Sequence, residues 1–93
     1  MNITICDWMV NDLHLQRSEL IAFAVIYAYK NGEWFNIPRR EFSNWLGTSP
    51  RGVSKTISSL TQKGVIEHEV LVDDRGCYAA FKIPENILNK YDD

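Results

Sequence analysis

The hydrophobic pattern of the first third of the chain predicts one long helix. Residues Leu20 to Tyr29 are apolar almost all round, and Ser18 is placed to cap the helix. Asn31 and Gly32 tolerate the left-handed backbone that commonly ends a helix. A helix with so little polar surface is either enclosed by its own domain or buried against a second copy. A homodimer through Leu20 to Tyr29 is therefore one expectation.

The middle of the chain predicts a strand followed by two helices. Trp34 to Ile37 reads as a short strand, and residues 38–46 as a helix that ends at Gly47. Ser49 is placed as an N-cap for the next helix, Pro50 to Lys63, because proline is favoured at the first helical position. Two helices joined by so short a turn indicate a helix-turn-helix over residues 38–63.

The last third predicts a β-hairpin and a final helix. Val65 to Val72 is an extended segment, Asp73 to Gly76 a turn, and Cys77 to Ile83 a returning strand. Its inward-facing residues are expected to be Cys77, Ala79, Phe81 and Ile83, alternating with Tyr78, Ala80 and Lys82. Pro84 opens a short helix, Glu85 to Tyr91.

The N-terminal segment adds weaker signals. Asn2 to Ile5 alternates like a short edge strand, and Asp7 is a candidate N-cap for a brief helical turn that carries Trp8.

We expect the 93 residues, 45% of them hydrophobic, to form a single domain with one core. Cys6 and Cys77 are isolated and are expected to be reduced thiols of a cytoplasmic protein without a secretion signal.

Charge is unevenly distributed, and this changes the functional interpretation. The chain sums to −2, yet positions 39–63 contain five basic residues against Glu41 alone, so this segment carries +4 and the rest −6. The helix beginning at Pro50 places Val53, Ile57 and Leu60 on one face, with short polar and basic side chains opposite. Such a helix suits the major groove of DNA.

The residues from Gly47 to Ile66, GTSPRGVSKTISSLTQKGVI, resemble a winged helix-turn-helix domain, as found in bacterial regulators and replication initiators. The turn, the Ser/Arg/Lys-rich helix and the Leu-x-x-x-Gly-x-Ile exit are typical of such families, and the resemblance covers residues 17–83. The N-terminal DWMVNDLHLQRSELIAFAVIYAYKNGEW also resembles small phage and plasmid proteins, often described as replication initiators. The resemblance implies an α+β fold. It would have a three-helix core, a β-hairpin wing over residues 65–83, a short N-terminal strand or turn and a C-terminal helix.

The resemblance further implies binding of double-stranded DNA, in replication initiation or transcription regulation and with a possible partner protein from either process. Arg51 can hold a guanine, serines allow close approach, and the arginines before the helix-turn-helix suit phosphates. The residues expected to face DNA are Arg39, Arg40, Ser49, Arg51, Ser54, Lys55, Ser58 and Arg75. The wing is acidic around Arg75, which weighs against contact between wing and DNA. The alternative is a protein-docking module without direct DNA contact, in which the acidic wing and the apolar first helix form the surface.

Other function classes find little support in the sequence. No serine has a histidine and an acid arranged around a nucleophile turn, and no glycine-rich phosphate loop is present, so we expect no enzyme activity. His14 and His68 have no partners at metal-ligand spacing, so no metal or other cofactor is expected. The longest apolar run, Leu20 to Tyr29, is shorter than the roughly 20 residues of a membrane span.

Overall fold

The computed structural model describes residues 3–29 and 34–91, which form a winged helix-turn-helix of α+β class. The three-stranded antiparallel sheet has the order β1-β3-β2. Helices α2, α3 and α4 form the three-helix core, and the β2–β3 hairpin is the wing. The elements are α1 (Asp7–Asn11), α2 (Arg17–Ala28), β1 (Phe35–Pro38), α3 (Arg39–Leu46), α4 (Pro50–Gln62), β2 (Glu67–Asp73), β3 (Gly76–Lys82) and α5 (Glu85–Tyr91).

The helix-turn-helix follows the predicted signals closely. Gly47 ends α3 in the left-handed region, with φ 65°, where glycine has no steric penalty. The Oγ atom of Ser49 accepts a hydrogen bond from the backbone N–H of Gly52 at 3.2 Å, which confirms Ser49 as the N-cap of α4. Buried Ser43 donates its hydroxyl to the carbonyl of Thr48 and fastens the turn to α3.

The start of the chain corrects three expectations. Residues 3–5 form no strand, and the alternation there instead lets Ile3 pack against the core as a single apolar side chain. Asp7 is the first residue of α1 and not its cap, since Cys6 occupies that position without a side-chain hydrogen bond. Ser18 lies inside α2, because the carbonyl of Gln16 already accepts the N–H of Glu19 at 3.1 Å. The predicted helix end at Asn31 and Gly32 falls outside the described residues.

Helix α2 is enclosed by its own fold more completely than the pattern suggested. The five consecutive residues from Ala22 to Ile26 are all buried. Trp8 of α1 stacks on Tyr91 of α5, with ring centroids 4.2 Å apart, and also meets the ring of Phe23 edge-on. The two end helices therefore cover a face of α2 that the three-helix core leaves open. No helix among the described residues combines the length and apolarity needed to cross a bilayer.

Strand β3 runs through the centre of the sheet, and its burial changes along its length. Ala79 and Phe81 point into the core as predicted, whereas Cys77 is exposed because the wing extends beyond the helices. Ala80 was expected to face outward but is buried. It lies in the central strand, between Asn36 of β1 and Glu69 of β2.

Candidate nucleic-acid interface

Helix α4 presents two chemically different faces. Val53, Ile57 and Leu60 are buried, as predicted, and anchor the helix in the core. The opposite face is exposed and combines two long cations with three short hydroxyl side chains: Arg51, Lys55, Ser49, Ser54 and Ser58. Short side chains between long basic ones let a helix backbone come close to a polyanion while the cations reach further along it.

The start of α3 brings a third cation to this face. The Nη2 atom of Arg39 donates a hydrogen bond to Ser54 Oγ at 2.6 Å. Two residues that the sequence placed separately are therefore in contact, and the guanidinium of Arg39 is held beside the middle of α4. Arg40, the next residue, is exposed.

A groove of about 410 Å³ lies between α4 and strand β2. Three residues predicted to face DNA, Arg39, Ser54 and Ser58, line it together with residues outside that prediction, and its described lining includes no carboxylate. The described lining residues are Arg39, Ser54, Ile57, Ser58, Thr61, Gln62 and His68. A groove with a fixed guanidinium, several hydroxyls and an amide has the chemistry to receive a phosphate of a nucleic-acid backbone.

His68 is the residue of this groove that sequence reasoning missed as part of a site. Its ring stacks on Phe81 with centroids 5.3 Å apart, and its buried Nε2 atom has no hydrogen-bond partner among the described residues. Burial, and then the charge of Arg39, lower the pKa of His68. The signal that could have found it is the strand alternation, which places His68 on the face opposite Glu67 and Glu69.

The other flank of α4 is tied to α2 and takes one cation away from the basic face. Lys63 Nζ lies 3.1 Å from Glu19 Oε1 and 3.2 Å from the carbonyl oxygen of His14. Ser59 donates its hydroxyl to the same Glu19 carboxylate. Burial alone would raise the pKa of Glu19, but the hydrogen bonds from Ser59 and Lys63, with the charge of Lys63, lower it. Within the described part of the chain, the positive charge of the helix-turn-helix that is not ion-paired therefore comes from Arg39, Arg40, Arg51 and Lys55.

The wing tip is electrostatically different from the α4 face. Asp74 and Arg75 form a two-residue loop between the strands, and the backbone N–H of Arg75 donates to Asp73 Oδ1 at 2.7 Å. Arg75 is exposed and does not line the groove. Within the described residues, no three potential metal ligands from His, Cys, Asp and Glu come together.

Comparison with known proteins supports the fold. No family model matches the chain, and no curated protein matches it at a significant level. A solved structure described as a possible transcriptional regulator, from Methanosarcina mazei Go1, superimposes with a TM-score of 0.64. The match covers 90% of this chain and 72% of that chain at 19% sequence identity. At this identity the likeness establishes the shared fold.

Proposed function

We propose that the protein is a transcription regulator that binds double-stranded DNA through α4. The observation that carries the proposal is the exposed face of α4, on which Arg51 and Lys55 project while Arg39 is fixed beside Ser54. The described lining of the groove contains no carboxylate, so the face can approach phosphates despite the negative total charge of the chain. The description of the structural neighbour as a possible transcriptional regulator is consistent with this role.

The eight predicted residues take different parts in this proposal. Arg51 stands in the first turn of α4, where side chains reach base edges, and its planar fork can hold guanine O6 and N7. Arg39 and Arg40 bind phosphates flanking the major groove, and Lys55 binds a base or a phosphate one turn further along. Ser49, Ser54 and Ser58 donate to phosphate oxygens. Arg75 is the member whose acidic surroundings oppose a DNA contact.

The test separates base recognition from phosphate anchoring with two variants. A preferred site is selected from a random duplex pool, and affinity is measured on that site and on random duplex. Arg51→Ala should cost about 1–3 kcal/mol on the preferred site and much less on random duplex. Arg40→Ala, the matched control, should weaken both duplexes alike and reduce the salt slope by about one.

Each result has a defined consequence. An equal loss on both duplexes for Arg51→Ala would make Arg51 a phosphate contact and remove it from sequence recognition. If neither variant changed affinity, α4 would not be the DNA-binding element. The fold would then serve as a protein-docking module without direct DNA contact.

Finer forms of the proposal concern biological setting and assembly. A replication-initiation role in a phage- or plasmid-like element rests on the N-terminal sequence resemblance, and a cytoplasmic setting on the isolated thiols. Homodimerisation would use the exposed surface of α2 and its C-cap, where Ile21 and Tyr29 keep 39% and 40% of their surface accessible. Sedimentation equilibrium at micromolar concentration tests the dimer, and a monomer there would contradict it.

A further inference from the structure

Strand β2 is an open edge of the sheet. It pairs with β3 from Glu67 to Asp73, and no described strand lies on its other side. An edge strand presents a row of backbone N–H and C=O groups that another chain can pair with. The opposite edge, β1, is a poorer template because it has four residues and ends in Pro38, which has no N–H to donate.

The same strand exposes three consecutive apolar side chains. Val70, Leu71 and Val72 keep 51%, 42% and 73% of their surface accessible. Val70 and Val72 share the face of β2 that carries His68, and they are exposed because the hairpin projects past the helices there. Leu71 lies on the opposite face, with Glu67 and Glu69. Natural proteins usually protect an edge by placing charges and bulges along it, and here Glu69 and Asp73 flank the apolar run. The run itself still presents exposed apolar surface of the kind that marks an association site.

The charges around this apolar run argue against a second copy as the occupant. Antiparallel pairing of two β2 strands about Val70 sets Glu67 opposite Asp73, and pairing about Leu71 sets Glu69 opposite Asp73. A register centred between Val70 and Leu71 sets Glu67 opposite Asp74. Like charges directly across a strand pair are destabilising, so each central register is penalised. The same four acids disfavour the DNA backbone as the occupant.

We propose that β2 receives an extended segment of a partner protein, basic and apolar in alternation, as a fourth strand of the sheet. Backbone hydrogen bonds would supply affinity, and side chains would supply specificity, as in other cases of strand addition. Lysine or arginine of the partner would meet Glu67, Glu69 and Asp73, while its apolar residues would cover Val70 and Val72. The wing is then a protein-docking element. Val70 and Val72 lie outside the described lining of the groove between α4 and β2, whereas His68 of the same strand lines it.

The experiment uses the full chain, labelled with ¹⁵N, and two short peptides. The first alternates lysine and valine; the second is identical except that glutamate replaces lysine. The Lys-Val peptide should shift backbone amide signals of residues 67–73 and leave those of residues 35–37 unchanged. The Glu-Val peptide should shift neither set.

A charge-reversed variant makes the test specific. Glu69→Lys with Asp73→Lys should weaken binding of the Lys-Val peptide by about tenfold or more, since like charges across an interface are strongly unfavourable, and should gain binding of the Glu-Val peptide. Asp7→Lys with Glu85→Lys is the matched control, because both side chains are exposed acids outside the wing. The control should bind the Lys-Val peptide like the wild type.

The outcomes distinguish this inference from the proposed DNA function. Unchanged amide signals at 67–73 with the Lys-Val peptide at millimolar concentration, or equal shifts with both peptides, would overturn it. Titration of the same sample with duplex DNA is followed separately through the backbone amide signals of residues 51–58. If DNA binding failed, these signals would stay unchanged, and the peptide result at residues 67–73 would not be affected. Duplex-induced shifts at residues 70–73 would make the wing a DNA contact and also overturn the inference. His68 is left out of this readout because it lines the groove beside α4.

Discussion

His68 shows how a single residue links stability to the candidate interface. Its ring contributes packing against Phe81, while its buried Nε2 atom lacks a partner among the described residues. A buried polar atom without a hydrogen bond costs about 1–3 kcal/mol. Burial, followed by the charge of Arg39 on α3, lowers the pKa of His68, and the facing residues of α4 carry no charge. The folded state therefore favours the neutral ring.

His68→Phe should stabilise the protein and flatten its acid response. Phenylalanine keeps the ring contact and removes the unpaired nitrogen, for an expected gain of about 1 kcal/mol. Because the folded pKa lies below 6.5, the unfolded chain takes up a proton first, and the wild type loses stability as pH falls through 6.5. Urea unfolding at pH 7.5 and 5.5 measures both effects. His14→Asn is the control and should keep the wild-type pH dependence. If His68→Phe lost as much unfolding free energy as the wild type between pH 7.5 and pH 5.5, this account would be contradicted.

At the residue scale, the spacing of residues along the sequence predicted burial and exposure within a helix but not contacts between helices. The exposure of Arg51 and Lys55 and the burial of Val53 follow from one helical period, and both are seen. The bond between Arg39 and Ser54 joins residues on different helices, so no spacing rule could reveal it.

The turn between α3 and α4 depends on a glycine that the sequence patterns did not single out. A Cβ atom added at Gly52 would meet the Thr48 Oγ1 atom well inside normal contact distance. Glycine normally weakens a helix interior relative to alanine by about 1 kcal/mol. Here it allows the turn to fold back against the first turn of α4.

Gly52→Ala should therefore have opposite effects in two backgrounds. In the wild type it should destabilise by about 1 kcal/mol or more, because the Thr48 hydroxyl is displaced from a packed turn. In a Thr48→Ala background the obstacle is gone, and Gly52→Ala should stabilise through helix propensity, by up to about 1 kcal/mol. Chemical denaturation of the four proteins completes the double-mutant cycle. A cycle without coupling would show that Thr48 and Gly52 do not constrain each other.

At the element scale, the sequence predicts boundaries where capping chemistry is local. Ser49 and Gly47 mark the two sides of the turn, and both predictions are confirmed. The α1–α2 connection was mispredicted because His14 and Arg17 adopt positive φ angles of 57° and 51°, without the glycine or asparagine that normally signals them.

At the scale of the whole molecule, Glu19 couples the first long helix to α4. Its carboxylate contacts Lys63 at 3.1 Å and accepts the Ser59 hydroxyl. Both side chains of the ion pair are partly exposed, which limits its contribution to about 0.3–1 kcal/mol. This contact orients the far end of α4 against α2.

Glu19→Gln should lower stability at neutral pH and lose its effect in acid. The pKa of Glu19 in the folded state is below 4.5, so its contribution is complete above that pH and disappears as pH falls through the folded value. The difference in melting temperature between wild type and Glu19→Gln should therefore shrink from pH 7 to pH 3. Glu85→Gln, an exposed acid of α5, is the control. A constant difference across this range would contradict the proposed ionic coupling.

Contacts between distant parts of the chain could not be predicted from the sequence. The composition predicted one core, but the enclosure of α2 depends on Trp8 meeting Tyr91 from opposite ends of the chain. Periodicity cannot predict such a contact, so the sequence left enclosure and dimerisation as alternatives. The sequence also could not show that Lys63 is neutralised by Glu19, and this ion pair removes Lys63 from the cations available to DNA.

Duplex binding as a function of salt tests the DNA-binding proposal as a whole. Among the described residues, no carboxylate forms an ion pair with four cations of the helix-turn-helix: Arg39, Arg40, Arg51 and Lys55. If they displace counterions from DNA, the logarithm of the association constant should fall against the logarithm of salt concentration with a slope of roughly −3 to −4. Fluorescence anisotropy with labelled duplex, from about 50 mM salt upward, measures this slope. Absence of binding at the lowest salt, or binding with a slope near zero, would contradict DNA recognition by this fold.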